Sequence, residues 1–401
     1  MTVNFRDSDS KPSRFLYCLH GMASQPTYRV LEYFKRWGNP LTGMDNYPSR
    51  VQEIAYRSFG PAALLGAAVY LSRQVSPMFG LLTVGGLMAL EGARTALHLL
   101  AFASQKKNYI HVRSQASEIS SARPRVATWN LLGFPAGMNY TCGGTSPFRN
   151  RFPGIAKRIR QEDPDIVILQ ECVIDVLTIE AIIKEFKDKY AHFFIHNGPN
   201  KWGIESGLLI MTNCAVLDYT FTPFETNDWT MTRGFATLKI PQQHGRPAFA
   251  VIGTHMEAGG SEKDTLKRTQ QLAQIYKHAQ SLTDVDAVVL AGDLNIDAAL
   301  EKDRIQTKID EVLVDIHKDG EPTCTNEFNW LRYPHKRGKA PKSEYVDQIA
   351  LIRRTGADAE RKIVQNLKVI PVYTNTQGVP DSKTALSDHN PVFADLIWES
   401  K

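Results

Sequence analysis

Residues 287–295 read AVVLAGDLN, an apolar run that ends on a glycine, an aspartate and, two positions on, an asparagine. A short run of this kind, rich in β-branched residues, predicts a strand covered on both faces. The polar residues at its end then stand at the rim of a sheet. The same pattern recurs outward in both directions: VATWNLL (126–132), DIVILQE (165–171), GLLIMT (207–212), FATLKI (235–240), AFAVIGTH (248–255), YVDQIAL (345–351) and NPVFADLIW (390–398). Between them, FPGIAKRIRQED (152–163) and TLKRTQQLAQIYKHAQ (265–280) space their apolar residues three and four apart, as amphipathic helices do. Strands alternating with helices predict an α/β fold.

The strand ends carry the chemistry. Asn130, Glu171, His255, Asp293, Asn295, Asp347, Asp388 and His389 all fall at or beside a predicted strand terminus, where a sheet scaffold brings distant residues to one cleft. The set consists of carboxylates, amides and two histidines, with no cysteine partner. Hard oxygen donors suit Mg²⁺, with Mn²⁺ or Ca²⁺ as alternatives, rather than zinc. Taken singly, most of these residues have a plainer reading: Asp293 with Asn295 fits an Asx turn, and Asp388-His389 fits a cap before Pro391. Asp347, within an apolar run, is harder to dismiss, because a buried unpaired carboxylate is costly.

Composition narrows the classes. Apolar residues make up 43 % of the 401 and charged residues 22 %, as in folded globular proteins. The five cysteines show no CxxC spacing, which speaks against a zinc ribbon or a disulfide framework. Residues 1–122 carry a net charge of +6 and residues 123–401 a net charge of −1. An enzyme of nucleic acids usually gathers basic charge around its cleft, so a nucleic-acid partner is disfavoured. No secretory signal is evident in the polar start. Uncharged runs at 58–72, 74–90 and 95–105 are dense in small residues, among them Gly66, Ala67, Ala68, Gly85 and Gly86, and basic residues flank the zone. Each run is short of the roughly 20 residues of a spanning helix. Membrane insertion or re-entrant association is expected, with a soluble helical hairpin as the alternative. The sequence thus divides into a helical, apolar N-terminal region (1–122, ending in a polar linker over 104–124) and a second domain over 123–401.

TWN (128–130), LQE (169–171), GTH (253–255), GDLN (292–295), YVDQI (345–349) and SDHNP (387–391) occur in this order, and together they resemble the signature of the endonuclease/exonuclease/phosphatase superfamily. The resemblance implies a four-layer αββα sandwich of two mixed sheets with the cleft at one edge. Further details are similar to neutral sphingomyelinases: WNLLGFPAG (129–137), GTHMEA (253–258), and NDWTMTRGF (227–235), in which Arg233 stands where a lysine is more usual. Mammalian-type members also carry two apolar segments ahead of the catalytic domain.

On this resemblance Glu171 would hold the divalent cation, with Asn130 close by. His389 would act as general base, its tautomer fixed by Asp347 or Asp388. Asp293 would orient the attacking water, and Asn295 would donate to a phosphoryl oxygen. His255 would stabilise the transition state or protonate the leaving alkoxide, and Arg233 would help bind substrate. Phe328, Trp330 and Tyr333 could line a lipid-facing rim, and Glu257 could support the site from behind. The expected reaction is cleavage of sphingomyelin to ceramide and phosphocholine at a membrane. A nuclease, an inositol-phosphate phosphatase and a catalytically inert membrane scaffold are the alternatives.

Overall fold

In the computed structural model, the described residues are 108–133, 148–172, 176–198, 205–226, 232–243, 245–296, 311–314, 316–317, 320–325, 343–354, 363–372 and 385–398, with isolated positions 85, 86, 89, 92 and 309. The apolar zone at 58–105 falls almost wholly outside them, as do Asp228 and Trp229 of the 227–235 segment, the aromatic residues at 328–333 and the basic run at 335–339. Among the described residues, no helix is long and apolar enough to cross a membrane.

Among the described residues the first part holds β1 (Ile110–Arg113), β2 (Arg125–Asn130), helix α1 (Phe148–Glu162), β3 (Ile166–Gln170), α2 (Val176–Phe186), β4 (His192–Ile195) and β5 (Leu209–Thr212). The second part holds β6 (Asp218–Pro223), β7 (Gly234–Ile240), β8 (Phe249–His255), α3 (Glu262–Ser281) and β9 (Ala287–Asp293). After these come β10 (Leu313–Val314), β11 (Cys324–Thr325), β12 (Ser343–Glu344), β13 (Asp347–Ile352), β14 (Val364–Val369) and β15 (Val392–Leu396). One sheet has the order β1-β4-β5-β3-β2-β15-β14 and the other β10-β13-β9-β8-β7-β6, with β11 and β12 as a separate ribbon. Both sheets are mixed. β2 runs parallel to β3 across α1, and β8 runs parallel to β9 across α3. Each half of the sandwich therefore contains one strand–helix–strand unit.

Three apolar clusters define four layers. Val126, Ile166, Ile168 and Ile210 of the first sheet meet Ala236, Leu238, Val251 and Val289 of the second. The outer face of the first sheet (Ala127, Trp129, Val167, Leu169) is covered by Ile155 and Ile159 of α1 and Ile182 and Phe186 of α2. The outer face of the second (Ala250, Ile252, Val288, Leu290) is covered by Leu272, Ile275 and Ala279 of α3. The sheets approach so closely at Gly253 that a Cβ there would stand 3.0 Å from Ile168 and Ile210. This explains the glycine in GTH better than any chemistry does. A capping box between Ser261 and Asp264 starts α3. The expected αββα sandwich is thus observed.

The boundary at 123 requires correction. Part of the stretch 104–124, expected as a linker, is β1, which pairs antiparallel with β4 from Ile110↔Ile195 to Arg113↔His192. The signal is present but short: Ile110 and Val112 alternate with polar residues and are buried, His111 is half-buried against Phe194, and Arg113 is exposed. Ile119 adds a parallel bridge to Cys214. Residues from 109 onward therefore take part in the sandwich.

A chain starting at residue 108 should consequently be more stable than one starting at 123. Tyr109, Ile110 and Val112 are buried, and each such side chain is worth on the order of 1.5–3 kcal/mol. At about 2 °C per kcal/mol for a domain of this size, the shorter chain should melt at least about 5 °C lower by calorimetry. Equal melting temperatures would mean that β1 contributes nothing to the sandwich.

Candidate active site

The two parallel pairs end at the same edge of the sandwich, so four chain segments deliver polar residues there. Asn130 ends β2, Glu171 follows β3, His255 ends β8 and Asp293 ends β9. Strand register sets the spacing in the second sheet: Asp293 lies opposite His255 on one side and opposite Asp347 on the other. The link between sheets is Asn130, whose Nδ2 donates to Glu171 Oε1 at 3.0 Å and to Asp293 Oδ2 at 3.1 Å. Its Oδ1 accepts the Leu132 N–H at 3.1 Å. Asn130 therefore presents its donor end to the two carboxylates, and its oxygen is engaged away from them. It stands beside the expected cation position as a bridge between carboxylates.

Of the two aspartates that could fix the tautomer of His389, Asp347 does so. Its Oδ2 meets His389 Nδ1 at 2.8 Å. This leaves Nε2 facing Asp293, whose Oδ2 is 3.9 Å away. The His389 backbone is held as well: the Trp129 indole N–H donates to the His389 carbonyl at 3.0 Å, and Ser387 Oγ accepts the His389 N–H at 3.2 Å while donating to the Asn130 carbonyl at 2.6 Å. Asp388 points elsewhere. It is half-buried, and its charge acts on Glu171 and Arg151.

His255 Nε2 is 3.6 Å from the same Asp293 oxygen. Burial, and then the charge of Arg233, push its imidazole down to about 3, so it is neutral. Burial alone would raise Asp293, but His389, His255 and the Asn130 and Asn295 hydrogen bonds hold it below the ordinary carboxylate range. His389 moves the other way. Burial would lower it, yet the negative charge around it, Asp347 foremost, holds it well above the usual histidine value. Asp347 is raised to about 6, chiefly by burial.

Asn295 and Arg233, expected at the substrate, both reach the loop that follows His255. The Asn295 backbone N–H donates to Asp293 Oδ1 at 2.9 Å, and its side-chain Nδ2 donates to the Met256 carbonyl at 3.2 Å. Arg233 Nη1 reaches the same carbonyl at 2.7 Å, and its Nε lies 3.7 Å from Glu257. Both side chains therefore brace the loop that follows His255. Arg268, fully buried in α3, holds that loop from below through the carbonyls of Glu257 and Gly259.

The donor set fits a hard divalent cation. Burial, then the neighbouring charge of Asp388, raises Glu171 to about 7. A carboxylate under that strain gains most from a positive charge placed beside it. A second cluster, Asp293, Asp347 and His389, offers ligand atoms that all lie within 4.8 Å of one another. Buried Asp347 Oδ1 has no hydrogen-bond partner among the described residues. The 2.8 Å contact ties Asp347 to His389, and Glu171, under the charge of Asp388, adds a further carboxylate beside the cluster.

Two residues of the site carried no signal that was read in the sequence. Arg151 on α1 is buried and donates to the carbonyls of Leu131 (2.8 Å), Leu132 (2.6 Å) and Leu386. It thereby ties the turn after Asn130 to the turn before Asp388. Burial lowers it to about 10, against the charges of Asp388 and Glu171. In the helix FRNRFPGIAKRIRQE it looks like one more solvated cation. Thr323 is fully buried, and its hydroxyl accepts the Asp347 N–H at 3.1 Å. PTCT offers nothing to distinguish it from a loop threonine.

The Asp347–His389 pair, Asp293, Glu171 and the neutral His255 thus lie together at one edge of the αββα sandwich. Residues 127–389 match the model of the Endonuclease/Exonuclease/phosphatase family. The chain belongs to that family and carries its phosphodiesterase/phosphatase fold. SmcL superposes with a TM-score of 0.51 at 18 % identity, covering 68 % of this chain and 99 % of SmcL. Sphingomyelinase C from Streptomyces griseocarneus gives 0.50 at 19 % identity, over 68 % and 99 % of the two chains. A beta toxin variant from Staphylococcus aureus with bound magnesium ions gives 0.51 at 16 % identity, over 69 % and 99 %. No curated protein sequence matches the chain.

The geometry separates the two aspartates in a testable way. Asp347→Asn should lower turnover of a chromogenic phosphodiester at saturating Mg²⁺ by about 10²–10⁴-fold, since a wrongly oriented base is nearly useless. Asp388→Asn should act mainly by raising the Mg²⁺ concentration needed for half-maximal rate. The assignment fails if Asp388→Asn at saturating Mg²⁺ is as slow as Asp347→Asn.

Proposed function

We propose that the chain is a divalent-metal-dependent phosphodiester hydrolase acting on sphingomyelin in the manner of a phospholipase C, releasing ceramide and phosphocholine at a membrane surface. The observation that carries the chemistry is the Asp347–His389 dyad at 2.8 Å with Nε2 turned towards Asp293. In its neutral form His389 takes the proton of the attacking water at Nε2, while Asp347 holds Nδ1–H and stabilises the imidazolium that forms; the departing alkoxide oxygen of ceramide takes a proton from solvent. Asp293, kept charged by Asn130 and by the Asn295 N–H, orients that water. His255, held neutral, donates a hydrogen bond to a phosphoryl oxygen, as a neutral imidazole can. Glu171, with Asp388, would hold Mg²⁺ (or Mn²⁺ or Ca²⁺), and the cation supplies charge neutralisation on the phosphate and on the departing oxygen.

The substrate reading is supported by the turn after β2 in WNLLGFPAG. The Gly133 N–H donates to the Glu171 carbonyl at 2.9 Å, and a Cβ on Gly133 would stand 2.4 Å from that oxygen. Only glycine lets this turn lie against the cation-binding residue, and the motif is the sphingomyelinase-like version of the opening. The net charge of −1 over 123–401 offers no general attraction to a polyanion. The basic-flanked apolar zone at 58–105 would bring the cleft to a bilayer, so membrane association belongs to the same proposal.

The test is one panel: full-length protein with Mg²⁺ against labelled sphingomyelin in vesicles, plasmid DNA and inositol phosphates. Phosphocholine release is expected, faster with anionic lipid, because each basic group near such a surface gains about 1 kcal/mol. Excess EDTA should abolish it and Mg²⁺ restore it. Efficient nicking of plasmid with sphingomyelin left intact would overturn the substrate reading and leave the hydrolase assignment standing. Undiminished activity in EDTA would overturn the metal.

A further inference from the structure

A second buried ionisable pair lies behind the cation-binding residue, and the mechanism above makes no use of it. His196 follows β4 and Glu205 precedes β5. His196 Nδ1 meets Glu205 Oε2 at 2.5 Å, with side-chain exposures of 3 % and 2 %. The pair joins the end of β4 to the segment that precedes β5, and the backbone beside it is joined as well, with the Ser206 N–H donating to the Asn197 carbonyl at 2.9 Å. The chain just past the pair touches the Glu171 turn. The Gly207 carbonyl accepts the Cys172 N–H at 2.9 Å, and a Cβ on Gly207 would lie 3.5 Å from Glu171 Cα. The Cys172 thiol is raised by burial and then by the charges of both Glu205 and Glu171, so the two glutamates flank one buried sulfur.

The backbone itself gives a reason for such a clamp. Glu171 has φ +54° and His196 has φ +52°. Side chains rarely hold the left-handed region unless surrounding contacts impose it, and strained residues of this kind gather at functional sites. Gly207, at φ +70°, adopts it freely. The Glu171 turn is thus fixed on one side by the Gly133 N–H and on the other by the Gly207 carbonyl, two residues past Glu205.

From this geometry we infer that His196 and Glu205 are positioning residues for Glu171: they hold its left-handed turn in the cation-binding orientation and so set the affinity for the divalent metal. The inference rests on the proposal that Glu171 binds the cation. Removing partners one layer behind a metal ligand typically costs 10–100-fold in metal affinity.

The experiment is a Mn²⁺ titration of the full chain, reading free Mn²⁺ by electron paramagnetic resonance, with thermal melts of the metal-free proteins alongside. Glu205→Gln should bind Mn²⁺ at least about tenfold more weakly than the native chain. His196→Asn removes the imidazole, yet asparagine tolerates a left-handed backbone better, so its metal-free melt should fall less than that of Glu205→Gln while its Mn²⁺ affinity falls as far. Glu171→Gln should abolish binding at this site. Native Mn²⁺ affinity in Glu171→Gln would refute the cation site itself. Loss in Glu171→Gln with affinity within twofold of native in Glu205→Gln and His196→Asn would overturn only the positioning role. Failure of both variants to fold would assign the pair to the core and would also overturn it.

Discussion

Asp293 is the residue on which the site turns. Its carboxylate is almost wholly removed from water, and a buried carboxylate stays ionised only if enough hydrogen bonds and positive charge converge on it. Asn130 from the first sheet, the Asn295 N–H from its own turn and the His389 imidazole provide them. Because the requirement spans both sheets, any shift of one sheet across the other would leave Asp293 uncompensated. The close approach at Gly253 and the one-to-one register of β8, β9 and β13 keep the sheets where that compensation holds.

The same convergence sorts the ionisable groups into roles. Two histidines face one aspartate but are driven apart: Arg233 and burial leave His255 neutral, and Asp347 leaves His389 avid for a proton. Three carboxylates likewise diverge, with Asp293 lowered while Glu171 and Asp347 are raised. Groups of one chemical type pushed in opposite directions are what acid–base and metal chemistry require of a single cleft.

Much of this was legible in the sequence because strand-end residues are fixed by periodicity. VATWN, DIVILQE, AFAVIGTH and AVVLAGD each run apolar up to a polar terminus, and a sheet can only place such termini along one edge. What was not legible depends on contacts between segments far apart in the chain. The choice between Asp347 and Asp388 as partner of His389 is settled by which strand lies across the site, and neighbouring positions in SDHNP cannot reveal it. Arg151 reads as a surface cation because amphipathic helices commonly carry several, and only the two turns it ties together give it a buried place. β1 was missed because four residues with a weak alternation carry too little pattern until β4 is there to receive them. Arg233 and Asn295 were assigned to substrate because of what they can donate. The sequence could not show that the Met256 carbonyl already accepts from both.

That shared acceptor bears on how the cleft keeps its shape. The loop after His255 has no strand partner of its own, so its conformation depends on side chains reaching in: Arg233 and Asn295 to the Met256 carbonyl, Gln271 to the Glu257 N–H, and Arg268 to the carbonyls of Glu257 and Gly259. The turn after Asn130 is held in the same way by Arg151. Long cationic side chains thus replace strand pairing where the catalytic loops leave the sheets. The charges of Arg151 and Arg233 also reach the carboxylate-rich cleft, so these two arginines offset part of the negative charge the site must concentrate. Replacing such an arginine by an apolar residue of similar size would remove both effects at once. Replacing it by lysine would keep the charge and lose the fork that reaches two or three carbonyls together.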